Sequence, residues 1–102
     1  MATTPEGKLK THFIKELKKR VKLTAVFQYK QDSTTVKGFP DTILLADEAV
    51  VVFIEFKKSK RAKFQPLQRE WGKKLLDRNF WYYLVYPENE KEVLDELAEI
   101  LK

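Results

Sequence analysis

Gly38-Phe39-Pro40-Asp41 and, fourteen residues beyond Asp41, Glu55-Phe56-Lys57 place charged side chains in or beside apolar, strand-forming runs. A strand sends alternate side chains to opposite faces, so Glu55 and Lys57 project together. The runs Thr42–Ala46 and Val50–Phe56 flank Asp47-Glu48-Ala49, a spacing that predicts a hairpin. If that hairpin turns about Glu48, residues equidistant from it stand opposite one another, and Asp41 faces Glu55. A slip of one position still leaves the two carboxylates neighbours, because opposed Cβ atoms are about 5 Å apart. Such a pair repels unless neutralised, and a divalent cation does this with oxygen ligands: Mg²⁺ takes one or two carboxylates together with waters and phosphate oxygens. Lys57 would then steady an attacking water or balance charge at a phosphate. Glu-x-Lys alone is more simply a strand-surface ion pair. Its combination with Pro-Asp at hairpin spacing, a basic segment and a following helix favours the catalytic reading.

The elements that position these residues are legible from periodicity. Leu9, Phe13, Ile14, Leu17 and Val21 recur at three and four and predict an amphipathic helix opened by Thr4-Pro5. On a wheel of about 100° per residue the apolar stripe spans roughly 180° to 320°, with Glu6 near 240° inside it and Glu16 near 160° at its edge. Either could add a carboxylate to the site. Glu6 could equally precede the helix proper and favour its positive end. Lys57, Lys58, Lys60, Arg61 and Lys63 put five cations into seven residues. That segment suits phosphate contacts, and a solvated basic turn would look the same. Gln65 and Gln68 could orient a water or simply be exposed residues at a helix start. His12 falls on the polar side of the first helix and reads as a surface residue. Trp71, Trp81, Tyr82 and Tyr83 read as core or interface aromatics.

Thr24–Lys30 reads as a strand and Gln31–Gly38 as a polar loop. Pro66 opens a second helix carrying Leu67, Trp71, Leu75 and Leu76, which Asn79 closes. Phe80–Tyr86 reads as a fourth strand, broken by Pro87-Glu88-Asn89, and Val93, Leu94, Leu97, Ile100 and Leu101 mark a last helix. The order α-β-β-β-α-β-α predicts an α/β fold with a central mixed four-stranded sheet flanked by helices, covered on both faces because its strands are so apolar. At 102 residues the chain fits a single domain, 1–102. A net charge of +5 suits a polyanionic partner. The absence of cysteine excludes disulfides, thiolate zinc sites and a thiol nucleophile. No apolar run approaches the roughly 20 residues of a membrane span, so no membrane role and an intracellular, cytoplasmic location are expected.

These motifs resemble the PD-(D/E)XK nuclease superfamily, with Pro40-Asp41 as the first signature and Glu55-Phe56-Lys57 as the second. More narrowly, the chain resembles the stand-alone VRR-NUC domains of phages and bacteria. The resemblance runs through Thr4-Pro5-Glu6-Gly7-Lys8, Gly38-x-Pro40-Asp41, Ile54-Glu55-x-Lys57, Pro66-x-Gln68 and Val85-Tyr86-Pro87-Glu88-Asn89. It implies a restriction-endonuclease-like fold and a metal-dependent endonuclease. Glu6, Asp41 and Glu55 would surround Mg²⁺ or Mn²⁺, with Lys57 at the nucleophile and Gln68 in support. Lys58, Lys60, Arg61 and Lys63 would contact nucleic acid. The resemblance further implies a homodimer acting on branched or four-way (Holliday) junction DNA. The sequence departs from the family after Lys57, where Lys58-Ser59-Lys60-Arg61 replaces the usual Gly-containing turn. Rival readings are a non-catalytic DNA-binding module on the same fold, a nuclease acting on flaps, nicked duplex or RNA, and a protein-interaction domain.

Overall fold

The computed structural model describes residues 4–28, 37–62 and 65–102. The end of the expected first strand, most of the Gln31–Gly38 loop and Lys63 lie outside them. Helix α1 spans Pro5–Arg20: the Thr4 side chain accepts a hydrogen bond from the Gly7 N–H at 3.0 Å, and Pro5 fills the first turn, where no amide partner is needed. Glu6 sits at its positive end, and Lys18, Lys19 and Arg20 at its negative end.

Strands β1 (Ala25–Gln28), β2 (Thr42–Ala46), β3 (Val50–Phe56) and β4 (Trp81–Val85) form one mixed sheet in the order β1-β2-β3-β4, antiparallel except for the β3–β4 pair. Thr42 pairs with Ile54 and Ala46 with Val50, so the hairpin turns about Glu48 as expected. Glu48 and Ala49 make the reversal with φ of 61° and 64°. Helix α2 (Pro66–Asp77) carries the parallel crossover, and Asn79 follows it in the left-handed region at φ 66°, which suits a residue closing a helix. Helix α3 (Glu90–Ile100) completes the expected order.

The even-numbered residues of β2 and β3 face α1 and α3. Phe13, Leu17, Leu44, Val52, Ile54, Phe56, Val85 and Leu97 are fully buried there, and the Phe13 and Phe56 rings meet edge to face at 5.5 Å. On the opposite face Phe53 lies 5.6 Å from both Phe39 and Phe80, and Phe39 lies 5.0 Å from Trp71 of α2. Among the described residues, cover on this second face is incomplete, contrary to the expectation from strand hydrophobicity. Helix α2 has 12 residues and packs on β4, which leaves Phe27 at 52% exposure and Ile43 and Leu45 half-buried. Trp81, expected in a core or interface, is 44% exposed. Among the described residues no helix is long and apolar enough to cross a membrane.

Gly38 ties the approach to Asp41 onto α2. It adopts φ +83°, and a Cβ there would stand 2.4 Å from the Leu67 carbonyl carbon. Gly38→Ala is therefore expected to destabilise the fold by about 2 kcal/mol or more, from a strained left-handed backbone and a collision with main chain that cannot yield. Urea denaturation measures this, and an unchanged midpoint would refute the close packing.

Candidate active site

The end of the β2–β3 hairpin gathers the charged residues. Asp41 immediately precedes β2, and extending the ladder one step beyond Thr42–Ile54 brings it to Glu55. Its Oδ1 accepts a hydrogen bond from the Thr42 hydroxyl at 2.8 Å, and its Oδ2 lies 3.6 Å from the Lys10 ammonium. Burial raises its proton affinity, against the pull of Lys10, Thr42 and the Phe56 N–H.

Glu55 is only 5% exposed. Gln68 Nε2 donates to its Oε2 at 3.0 Å, while its buried Oε1 accepts no hydrogen bond from any described residue. Burial, and then the Asp41 charge, push its carboxyl up to about 8; Lys57 opposes this, Glu6 adds to it, and the Asp41 N–H eases it least. Lys57 is 6% exposed, held by its N–H on the Val85 carbonyl at 2.8 Å and by its ammonium on Gln68 Oε1 at 2.8 Å. Gln68, in the first turn of α2, also accepts the Gln65 N–H at 3.1 Å. Its amide thus bridges the cation and the carboxylate, donating to one and accepting from the other. Neither Glu nor Lys could do both.

The remaining sequence candidates lie further out. Glu6 is exposed in the first turn of α1, yet its charge reaches Glu55. Glu16 is paired with Lys19 at 3.0 Å, which lowers its proton affinity. No three acidic or histidine side chains converge closely among the described residues. Lys58, Lys60 and Arg61 are exposed in the turn after β3, where the Lys60 N–H reaches Glu88 Oε1 at 3.4 Å; Lys63 is outside the described residues. His12 is exposed and lies 2.6 Å from Glu90.

Sequence reasoning passed over Lys10, Thr42 and the site's link to Tyr82. Lys10 had a usable signal: it lies one turn beyond Glu6, on the same inward side of the wheel. Tyr82 has none, because only the fold brings it near. Its hydroxyl holds its proton more tightly owing first to burial and then to the charges of Glu55 and Asp41, and its ring packs against Gly72 of α2.

The geometry defines an α/β fold with a carboxylate pair at a hairpin end, Glu55 buried and Asp41 partly so, flanked by a buried lysine. No family profile and no curated protein matches this chain in sequence. Solved structures match in shape. One described as a "VRR_NUC domain" superposes with a TM-score of 0.74 at 22% identity, covering 95% of this chain and 97% of that one. A "VRR_NUC domain protein" gives 0.70 at 18% identity, with 99% and 93% covered. The chain therefore has the VRR-NUC fold, the architecture that the sequence resemblance implied.

The donor set fits a divalent cation. Among the described residues Glu55 Oε1 is a buried acceptor lacking a donor, and Asp41 and Glu55 each resist ionisation, first because of burial and, for Glu55, next because of the Asp41 charge. Two carboxylates with waters and substrate oxygens suffice for Mg²⁺.

Proposed function

We propose that this chain is a metal-dependent endonuclease that hydrolyses DNA phosphodiester bonds, acting as a homodimer on branched or four-way junction DNA. The observation that carries this reading is the Asp41–Glu55 pair, with its undonated Glu55 oxygen, held beside Lys57 by Gln68. Asp41 and Glu55 would hold Mg²⁺ or Mn²⁺, with Glu6 acting from the rim. When bound, the cation supplies Lewis-acid polarisation of the phosphate and of the attacking water. Gln68 fixes the Glu55 carboxylate. Lys57 steadies the water or offsets charge gathering on the phosphate oxygens, and its burial strengthens that effect. Lys58, Lys60, Arg61 and Lys63 would grip the backbone without reading sequence. Phe27, Leu76, Phe80 and Trp81, each 44% exposed or more, offer apolar surface to a second copy. A dimer supplies one site per strand, which suits junction cleavage.

The test incubates wild type and Asp41→Ala with labelled four-way junction, flap, nicked duplex, single-stranded DNA and RNA, with and without Mg²⁺ or Mn²⁺. Metal-dependent junction cutting, lost in the variant, is the expected result. Cutting confined to another substrate would replace the junction assignment. Salt-sensitive binding without cutting under any metal would make the protein a DNA-binding module whose carboxylates are structural remnants.

A further inference from the structure

Resting on the metal-site reading, we infer that the Lys10 ammonium is a tethered counter-ion for the Asp41–Glu55 pair, which a divalent cation must displace, so that Lys10 sets the metal concentration at which the site loads. Among the described residues, Lys57 and Lys10 both approach these carboxylates, and they are held differently. Lys57 is 6% exposed and its ammonium is fixed on Gln68 at 2.8 Å. Lys10 comes from a different element, α1, and its ammonium stands 3.6 Å from Asp41 Oδ2 with its side chain 22% exposed. That separation exceeds the roughly 2.7–2.9 Å of a charge-assisted hydrogen bond, so the pairing is chiefly coulombic and weakly directional.

The Lys10 ammonium stands 5.9 Å from the Phe56 ring centroid, and its four flexible methylenes let the charge swing to solvent. A positive charge at this position partly neutralises the pair before metal arrives and opposes the metal's approach to the same oxygen. Lys57 cannot play this part, because leaving would strand a buried ammonium.

Lys10→Met keeps the stem and removes the charge. Calorimetric titration of the DNA-free protein with MnCl₂ is expected to show binding tightened about tenfold. Mn²⁺ should also raise the melting temperature of the variant more than that of wild type. Lys10→Arg, which keeps the charge, is expected to show no tightening, and Lys10→Gln serves as the neutral variant if Lys10→Met does not fold. Equal or weaker Mn²⁺ binding by the neutral variants, with wild type still binding, would overturn the counter-ion role alone. Absence of Mn²⁺ binding in every form, Asp41→Asn included, would overturn the metal-site reading as well.

Discussion

Glu55→Gln is expected to abolish cleavage while making the protein more stable at alkaline pH. Gln preserves the shape of Glu and can still accept the Gln68 Nε2 hydrogen bond that wild type makes at 3.0 Å. Its amide also brings a donor toward Asp41, where wild type has two repelling carboxylates. The anionic ligand is gone, however, and a loss of at least about 10³-fold follows from several kcal/mol of forfeited charge stabilisation. The stability change has a definite sign. In the unfolded chain Glu55 titrates near 4.5, and in the fold it is pushed up to about 8, chiefly by burial. Between these values the folded state holds a proton that the unfolded state has released, so wild-type stability falls as pH rises. The slope is about 1.4 kcal/mol per pH unit, and the full fall is at most about 4 to 5 kcal/mol, levelling off above pH 8. Glu55→Gln lacks this titration. Its advantage should be near zero below pH 4.5, grow through neutrality and reach a plateau, as read by urea denaturation in EDTA. A stability difference that stays constant across the whole range would refute the buried-charge account.

The site's legibility followed the regularity of the elements that carry it. Asp41 and Glu55 could be paired from sequence because strand register is arithmetic once the turn is centred on Glu48, and the observed ladder has that centre. Gln68 was visible as a polar residue just inside a Pro-initiated helix, but its bridge between Lys57 and Glu55 depends on where α2 docks, which no local pattern encodes. The helical wheel put Glu6 on the inward face, yet Glu6 is exposed, because inwardness has no effect ahead of Leu9, the first buried residue of α1. The same wheel held Lys10, which a search for acidic ligands passed over. The open outer face of β1 and β2 escaped for another reason: apolar content says that a strand face wants cover and not whether a helix of 12 residues can reach it.

Lys57→Met is expected to lower kcat by about 10²- to 10³-fold without unfolding the protein. The alkyl stem keeps its packing, the Lys57 N–H bond to Val85 is independent of the side chain, and Gln68 Oε1 retains the Gln65 N–H at 3.1 Å. The loss to Glu55 is electrical. Lys57 is the leading influence against its raised proton affinity, so in the variant Glu55 holds its proton to higher pH and the rising limb of the pH–rate profile moves alkaline. This allows two roles for Lys57 to be separated. A lysine that merely neutralises Glu55 becomes dispensable once high pH and saturating Mn²⁺ have removed the proton and supplied the charge, and kcat then recovers. A lysine that acts on the attacking water or the phosphate leaves a deficit that neither condition repairs. The expected result is the second, a plateau still depressed about 100-fold at saturating Mn²⁺ and pH 9. Complete recovery would reduce Lys57 to a counter-ion and leave the chemistry of the hairpin end to its two carboxylates.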